Sequence, residues 1–374
     1  MGQKIFGIHN SKNPIDEISE ITASAGIKRL FIVCDSAYQY LSIKDKIDAL
    51  PVEKTYFSDF KPNPLCENVK SGIKAYHENG CDGILAVGGG SAIDVAKCIK
   101  LYANVPAEEN FLEAKDVTPS GVPFIAIPTT AGTGSESTRF AVIYYNGQKQ
   151  SVNDVRIIPD FAILDGSVLM TLPDYQKKST IMDALCQAIE SWWSVNRTSE
   201  SIEFSKEAIR IFSKYMEEYI FEKPSKKVCD KIMLGANYAG KAINLTQTTA
   251  AHAMSYKVTS LCGIPHGHAV AVCFVPCLRY MLTHIDDVRI EGDDMAALLD
   301  EIAGFAFGVG REDFPNVVAK MLKTMGLMNP VVDENQIEIL AKSVNPVRLK
   351  NHPIAITEEG FREIYGTFLN KECK

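Results

Sequence analysis

Two different sequence patterns divide this chain, and the division constrains its fold more than any other feature. Over residues 1–170, short β-rich runs alternate with amphipathic stretches. RLFIVCD (29–35) and DGILAVGGG (82–90) are typical of buried strands, and NVKSGIKAYHENG (68–80) between them is typical of a helix. After TLPD (171–174) the β-rich runs largely stop, and apolar residues recur at helical spacing. The first pattern predicts a mostly parallel sheet covered on both faces, and the second predicts an all-helical region.

We place the domain boundary where the pattern changes. The predicted fold class is an α/β N-terminal domain over residues 1–173 followed by an all-α C-terminal domain over residues 174–374. Near the end of the first domain, two β-rich runs flank Asn146-Gly147, a preferred pair for tight turns, which predicts a β-hairpin. Helical periodicity runs through the C-terminal segments, namely 175–195, 199–220, 226–245, 248–260 and long parts of 268–374.

Composition narrows the class of protein. The 374 residues are 46% apolar and 23% charged, as in soluble globular proteins, and the net charge is −7. An acidic chain lacks the basic face that nucleic acid binding requires, so we expect no nucleic acid partner. The ten cysteines include no CxxC pair, and no run approaches the ~18 apolar residues of a membrane span. We therefore expect no membrane association and a reducing cytoplasm.

Two glycine-containing loops follow β-rich runs and point to a nucleotide. Gly88-Gly89-Gly90-Ser91 follows one predicted strand and opens a helix, whose N-terminus offers N–H groups and a positive dipole end. PTTAGTGSE (128–136) follows another strand and supplies hydroxyl groups for phosphate or ribose oxygens. Two such loops after parallel strands match a nucleotide crevice, although a tight strand-to-helix turn without a ligand would use the same glycines.

Asp35 ends the predicted strand that precedes these loops. A carboxylate there can accept hydrogen bonds from ribose hydroxyls and would repel a 2′-phosphate, which favours NAD(H) over NADP(H). A helix N-cap is the alternative role for the same side chain. In the usual dinucleotide fingerprint the acid follows the glycines, whereas Asp35 precedes them, so this nucleotide fold is not the standard one.

A cluster of potential metal ligands lies in the helical half. Three of the seven histidines, His252, His266 and His268, fall in one stretch with small residues around them. Asp183 together with two histidines would form a common ligand set for Zn²⁺ or Fe²⁺ that leaves positions for water or substrate. Gln187 lies one turn from Asp183 on the same helix face, and its amide oxygen is a neutral, weak donor. The alternative for each histidine is a hydrogen-bonded residue of the core.

Four stretches of the chain together resemble the group III, iron-containing alcohol dehydrogenases, and they occur in that family's order and spacing. They are GGGSAIDVAK (88–97), PTTAGTGSE (128–136), MDALCQAIE (182–190) and HAMSYKVTSLCGIPHG (252–267). The resemblance implies a dehydroquinate synthase-like fold, in which an α/β nucleotide domain precedes a helical domain and the active site lies in the cleft between them. It also implies a homodimer.

The resemblance assigns roles to individual residues. Residues that match the pyrophosphate loop are Gly88, Gly89, Gly90, Ser91 and Asp94. Residues that match other NAD contacts are Thr129, Thr130, Ser135 and Lys149, with Asp35 as the acid that contacts the ribose. Residues that match three of the four metal ligands are Asp183, His252 and His266.

Two positions depart from the family pattern. The fourth metal ligand of the family is a histidine, and this chain has Gln187. A further histidine near the substrate is here Tyr256, a candidate proton relay or a core tyrosine. Glycerol dehydrogenases resemble this family and hold zinc with one aspartate and two histidines. Three strong ligands could thus suffice, with Gln187 as a weak fourth ligand or a partner of metal-bound water, and His268 as a possible substitute.

The substrate is predicted from a narrower resemblance. ESWWSVNRTSES (190–201) and GKAINLTQTTAAHAMSY (240–256) are similar to a subgroup that reduces phosphonoacetaldehyde to 2-hydroxyethylphosphonate. Side chains suited to a small anion in the relevant stretches are Arg139, Asn196, Lys241 and Thr248, and arginine suits a phosphonate because it can bind two oxygens. Solvated surface polarity is the alternative for each.

The leading hypothesis is a metal-dependent, NAD(H)-linked reductase of a small, anionic aldehyde, with Tyr256 and His266 in the catalytic centre. Other aldehydes or polyols, such as sulfoacetaldehyde, glycerol or butanal, are alternative substrates. A lyase like dehydroquinate synthase would use the same nucleotide and metal sites. A nucleotide-binding sensor with a decayed metal site is a third hypothesis, because Gln187 replaces a strong ligand.

Overall fold

A computed structural model describes residues 2–7, 14–106, 110–114, 116–292 and 294–369. The strands in this part of the chain are β1 Lys4–Phe6, β2 Arg29–Cys34, β3 Glu53–Phe57, β4 Gly83–Gly88, β5 Phe124–Pro128, β6 Phe140–Tyr145, β7 Gln148–Asn153 and β8 Phe161–Ile163. The α-helices are α1 Asp16–Ser24, α2 Lys44–Asp48, α3 Cys66–Glu78, α4 Gly90–Tyr102, α5 Asp174–Trp193, α6 Ser199–Phe221, α7 Lys226–Thr246, α8 Ala250–Cys262, α9 His266–Thr283, α10 Met295–Phe307, α11 Phe314–Met325, α12 Glu334–Ser343 and α13 Glu358–Gly366. The α/β N-terminal region and the helical C-terminal region that the sequence predicts are confirmed.

The first unit is built on a parallel sheet of six strands in the order β1-β8-β5-β4-β2-β3. Strands β4 and β5 are buried along their whole length, and β2 is buried after its first residue, Arg29. Continuous apolar runs are expected when helices cover both faces of a parallel sheet. The chain runs outward from β2 to β3 but returns to the other side of β2 for β4. This reversal of strand order makes the carboxyl ends of β2 and β4 a topological switch point.

The predicted hairpin is confirmed beside this sheet. Strands β6 and β7 pair antiparallel in a sheet of their own, with Tyr145 opposite Gln148. The two turn residues, Asn146 and Gly147, both have positive φ, at 50° and 72°. A two-residue turn of this kind needs residues that tolerate the left-handed region, which explains the Asn-Gly pair.

The chain divides into two compact units after Leu172, but one helical segment crosses the division. The sequence predicts a single boundary between residues 173 and 174, whereas Glu222–Gly240 belongs to the first unit. Gly134 and Gly240 account for part of this association, because a Cβ on Gly240 would lie 2.7 Å from the carbonyl oxygen of Gly134. Sequence periodicity identifies this segment as a helix and contains no information about which unit it packs against.

The first unit gains polar contacts from the same segment. Asn237 donates to the buried carboxylate of Glu136 over 3.0 Å, and the Asp230 carboxylate accepts from the backbone N–H of Gly166 over 2.8 Å. These hydrogen bonds attach α7 to loops at the carboxyl ends of β5 and β8.

Among its described residues, the second unit contains helices and connecting turns, with no strand beyond isolated β-bridges. Helix α5 packs against α6 and α9, and α8 packs against α9 and α12. Trp192 and Trp193 at the end of α5 are fully buried. Thr198 and Ser201 cap α6 reciprocally, because each side-chain oxygen accepts from the backbone N–H of the other residue. Among the helices described, none is both long and apolar enough to cross a bilayer.

Candidate metal centre and nucleotide crevice

The switch point of the sheet brings Asp35 next to the glycine loop. A Cβ built on Gly88 would lie 3.3 Å from Asp35 Oδ2 and 2.6 Å from the Cβ of Ala92, so only glycine fits here. Asp35 Oδ1 accepts from the Ala37 N–H over 2.9 Å, which is the N-cap role considered from the sequence. The carboxylate therefore caps one turn with Oδ1 while Oδ2 faces the end of β4.

No side chain among the described residues caps the amino end of α4. Its N-cap residue is Gly89, and its first turn contains no acidic residue. Because the first N–H groups of a helix lack partners within the helix, this end suits a phosphate. Ser91 in this turn is half-buried.

The second predicted loop packs directly on the first. A Cβ on Gly90 would lie 2.9 Å from Cγ2 of Thr133, and one on Gly89 would lie 3.5 Å from the hydroxyl of Thr130. The buried residue Thr129 donates its N–H to the Gly88 carbonyl over 3.0 Å. The structure thus brings together the two loops that the sequence placed after separate strands.

Ser135, Asp94 and Lys149 lie on the inner side of this loop pair. The Ser135 hydroxyl donates to Asp94 Oδ1 over 2.6 Å, and Asp94 Oδ2 accepts from the Val142 N–H over 2.9 Å. The charge of Lys149, on β7, favours the ionised form of Asp94 and so opposes the rise in its pKa that burial causes. In this structure the single hydroxyl hydrogen of Ser135 is directed at a protein group.

The predicted metal ligands converge in the second unit. Asp183 on α5, His252 on α8 and His266 at the start of α9 each offer a ligand atom, and these atoms all lie within 4.8 Å of one another. His252 Nε2 is 3.1 Å and His266 Nε2 is 3.9 Å from Asp183 Oδ1. Asp183 and His252 are buried, and His266 is half-buried.

Gly267 explains how the start of α9 can approach α5 so closely. A Cβ at this position would lie 2.2 Å from the carbonyl oxygen of Ser179 and 3.0 Å from the Cβ of Asp183. Any side chain would force the two helices apart and would move His266 away from Asp183. Glycine is therefore required between His266 and His268 by helix packing.

Gln187 lies one turn after Asp183 and is buried. Its side chain hydrogen-bonds to the Asp183 carboxylate and helps to lower the pKa of that group. Its Oε1 is buried and has no hydrogen-bond partner within the described part of the chain. A buried carbonyl oxygen without a partner is costly unless something else satisfies it, and a cation beside Asp183 would do so.

Glu190 is the residue that sequence reasoning missed. It lies two turns after Asp183 on α5 and is fully buried. Its Oε1 accepts from Thr249 Oγ1 and from the Ala251 N–H, both over 2.9 Å, and its Oε2 accepts from His252 Nδ1. The sequence signal for Glu190 was its spacing of seven residues from Asp183, which places both side chains on the same face of a helix.

The two carboxylates set the charge state of His252. Burial alone would lower its pKa, but Glu190 and Asp183 together raise the pKa to about 9. Burial alone would raise the pKa of Asp183, yet the hydrogen bond from His252 and the charge of His266 hold it below its ordinary value. Because Nδ1 is committed to Glu190, Nε2 is the nitrogen that faces Asp183, and an ion would displace the proton that Nε2 carries at neutral pH. This is the arrangement in which a second carboxylate orients a metal-binding imidazole.

His268 and Tyr256 occupy different surroundings. Both ring nitrogens of His268 have protein partners, the Tyr175 hydroxyl at 2.8 Å and the Met328 carbonyl at 2.9 Å. His268 therefore has no nitrogen left for an ion, and it fits the core role. The Tyr256 ring stacks on His266 with centroids 5.6 Å apart and planes 6° apart.

The candidate substrate residues are distributed over both units. Arg139 is half-buried over the ring of Phe140 in the first unit. In the second unit, Lys241 lies over the Phe204 ring at 5.5 Å. Asn196 is exposed and donates to the Thr246 carbonyl over 3.5 Å.

Thr248, the fourth candidate, lies in the turn between α7 and α8. Its carbonyl accepts from Asn351, whose side chain also reaches the Thr246 carbonyl over 3.4 Å. Asn196 thus contacts the last residue of α7, next to the turn that contains Thr248 and Thr249, and Thr249 is the partner of Glu190. The roles of all four candidates stay predictions.

Comparisons with known proteins agree with this geometry. The family described as "Iron-containing alcohol dehydrogenase" matches residues 7–166, and that described as "Fe-containing alcohol dehydrogenase family, C-terminal" matches residues 177–369. Alcohol dehydrogenase 4 of Schizosaccharomyces pombe is 29% identical over 309 residues, which are 81% of this chain and 71% of that one. Phosphonoacetaldehyde reductase of Streptomyces viridochromogenes is 34% identical over 209 residues, which are 53% of each chain.

A solved structure extends the likeness to almost the whole chain. The sulfoacetaldehyde reductase of Bifidobacterium kashiwanohense, solved in complex with NAD⁺, has a TM-score of 0.87 and 26% sequence identity, covering 99% of this chain and 97% of that one. The resemblance inferred from the four sequence motifs is confirmed. The chain therefore belongs to the iron-containing alcohol dehydrogenase family, and it is an NAD(P)-dependent oxidoreductase that acts on CH–OH groups.

Proposed function

We propose that this enzyme reduces a small aldehyde carrying a phosphonate or another strong anion, with phosphonoacetaldehyde to 2-hydroxyethylphosphonate as the first candidate. The observation that carries the proposal is the function of two of the three similar proteins named above, the phosphonoacetaldehyde reductase and the sulfoacetaldehyde reductase. Both are reductases of an acetaldehyde that bears an anionic group, one a phosphonate and the other a sulfonate. The chain's own candidates for the anion are Arg139, Asn196, Lys241 and Thr248.

The second unit fits one divalent metal ion, Fe²⁺ or Zn²⁺. The donor set of one carboxylate and two imidazoles suits either ion. The buried Oε1 of Gln187 has no hydrogen-bond partner among the residues described, and Glu190 holds the His252 ring with Nε2 toward Asp183. We therefore assign Asp183, His252 and His266 as ligands and Gln187 as the fourth. When bound, the ion would act as a Lewis acid on the carbonyl oxygen of the substrate.

The first unit fits NAD(H), which would supply the hydride. The amino end of α4 and the two loops are assigned to its phosphates and ribose. The residues assigned to the cofactor are Asp35, Gly88, Gly89, Gly90, Ser91, Asp94, Thr129, Thr130, Ser135 and Lys149. We propose NAD(H) over NADP(H), because the Asp35 carboxylate at the switch point would repel a 2′-phosphate.

Tyr256 is assigned the proton transfer. Its ring is held against His266, and a phenol can donate a proton to the oxygen that becomes the alcohol. Tyr256→Phe should lower kcat about 100-fold while leaving metal content and NADH affinity unchanged, because the ring and its stacking are kept. An unchanged kcat would show that Tyr256 is a core tyrosine and not the proton donor.

The decisive experiment combines metal analysis with an aldehyde panel. Purified protein should contain one divalent ion, and NADH oxidation should be fastest with phosphonoacetaldehyde or sulfoacetaldehyde and slower with glycolaldehyde and butanal. A chelator should abolish activity, and Fe²⁺ or Zn²⁺ should restore it. No oxidation of NADH with any aldehyde would refute the proposal. NAD⁺ that stays tightly bound, with no net oxidation of NADH, would instead favour the hypothesis of a lyase like dehydroquinate synthase.

A matched pair of aspartate variants tests the metal site. Asp183→Asn should remove the ion, because the replacement keeps the shape and deletes the charge. Asp165→Asn is the control, since Asp165 is equally buried and pairs with Lys226 at 3.4 Å in the first unit. If both variants lose the metal, the loss is due to general destabilisation of the protein and does not support Asp183 as a ligand.

We also propose that the protein is located in the cytoplasm and forms a homodimer. No disulfide links the cysteines in the described part of the chain, which suits a reducing compartment. Light scattering of the purified protein measures the oligomeric state, and a monomer would remove the homodimer from the proposal.

A further inference from the structure

A buried lysine ties the cofactor loops together in the first unit. Lys97 lies on α4, two turns after the glycine loop, and its side chain is fully buried. Its ammonium group donates to the Ser135 hydroxyl over 3.1 Å, to the Thr138 hydroxyl over 3.1 Å, and to the carbonyls of Thr138 and Phe140, both over 2.7 Å. All these acceptors belong to residues 135–140, which include the end of the second predicted loop (128–136) and the residues that follow it. Lys97 thus connects α4, which follows the glycine loop, to the end of the second predicted loop.

A short series of contacts connects Lys97 to the residues that are assigned to the cofactor. Lys97 occupies an acceptor site of the Ser135 oxygen, so the hydroxyl hydrogen points to Asp94. The backbone N–H of Ser135 donates to the Thr133 hydroxyl over 3.3 Å, and Thr133 packs on Gly90. Contacts through Ser135 and Thr133 thus connect the ammonium group to the point where the second loop packs on the first.

We propose that Lys97 is a positioning residue for the dinucleotide: it holds segment 135–140 and the Asp94 carboxylate in the arrangement that binds NAD(H), without contacting the cofactor. This inference rests on the assignment of NAD(H) to the first unit. Removal of the ammonium would leave several buried acceptors without a donor, and the loop would have to rearrange to satisfy them.

The test compares two buried lysines on the same helix. Lys97→Met keeps the length of the side chain and removes its charge and donors. Lys100→Met is the control, because Lys100 is also buried but pairs with Asp160 at 2.9 Å and with the Val122 carbonyl at 3.0 Å. NADH binding is followed by its fluorescence in chelator-treated protein, so neither the metal nor a substrate contributes. Thermal unfolding of both variants measures their loss of stability.

We expect Lys97→Met to raise the Kd for NADH about ten-fold and Lys100→Met to change it less than about two-fold, at similar losses of stability. Equal effects of the two variants on the Kd would overturn the proposal. If wild-type protein binds no NADH, the proposed function fails instead, so the two failures are distinguishable.

The pH dependence of binding tests the proposal without any variant. Burial lowers the pKa of Lys97 to about 8, although the charges of Asp94 and Glu136 oppose this change. The other titratable group facing it is the thiol of Cys98, whose pKa burial raises far above its ordinary value, so it stays neutral. The ammonium form holds the loop, so NADH affinity should fall as pH rises through about 8. A wild-type Kd that stays constant from pH 7 to about 9.5 would contradict the proposal.

Discussion

Replacement of Glu190 by glutamine is the sharpest probe of how this metal centre is built. The substitution preserves shape and changes one atom, since Oε2 becomes an NH₂ group. At the other oxygen, the hydrogen bonds from Thr249 Oγ1 and from the Ala251 N–H, both 2.9 Å, can persist. The loss is confined to the acceptor of the His252 Nδ1 proton. Two donors would then face each other.

His252 can relieve this conflict by moving its proton to Nε2. That nitrogen lies 3.1 Å from Asp183 Oδ1 and is the one assigned to the metal, and a protonated nitrogen cannot bind an ion. Removal of an outer carboxylate of this kind typically costs 10–100-fold in metal affinity, which is about 1.4–2.8 kcal/mol. We expect a loss in this range for Glu190→Gln.

The assay is competition for the metal between the protein and a chelator of known affinity. Glu136→Gln provides the control, because Glu136 is a buried glutamate of the first unit that accepts from Asn237 over 3.0 Å. It should retain wild-type metal affinity. The reasoning is refuted if Glu190→Gln binds metal within about two-fold of wild type, or if both variants lose affinity equally.

Three further predictions concern other buried positions. Gln187→His should tighten metal binding and Gln187→Ala should weaken it, both measured by the same competition, because an imidazole is a stronger donor than an amide oxygen; a weaker histidine variant would count against the assigned ligand set. His352 is buried, neither of its nitrogens has a hydrogen-bond partner among the residues that the structure covers, and burial lowers its pKa to about 3. In the unfolded chain the imidazole takes up a proton near pH 6.5, whereas in the folded chain it does so only near pH 3. The free energy of unfolding should therefore decrease as the pH is lowered from about 6.5 to about 3. Relative to His352→Phe, urea unfolding should show a loss of about 1.4 kcal/mol per pH unit between about pH 6 and 4, and parallel pH profiles would exclude this origin. Gly240→Ala should destabilise the protein by about 1–3 kcal/mol, because its Cβ would meet Gly134 backbone, and an unchanged melting temperature would show that α7 can shift at little cost.

Local pattern determined much of this protein before any tertiary contact was known. Strands and helices alternate and then give way to helices alone, because burying a parallel sheet and burying helices require different apolar spacings. Asn146-Gly147 specified its hairpin for an equally local reason, the tolerance of both residues for positive φ. Asp183 and Gln187 were placed on one face by helical geometry alone. For such features the physical cause lies within a few residues of the chain.

Tertiary structure alone decided the features whose causes lie far apart in sequence. The approach of α9 to α5 depends on Gly267 meeting the backbone of Ser179, and that contact brings His266 to Asp183. Which histidine is free for a metal also depended on remote partners, since Met328 and Tyr175 occupy His268 while Glu190 leaves Nε2 of His252 available. Hydrogen bonds to buried groups are short-ranged and directional, so periodicity contains no information about them.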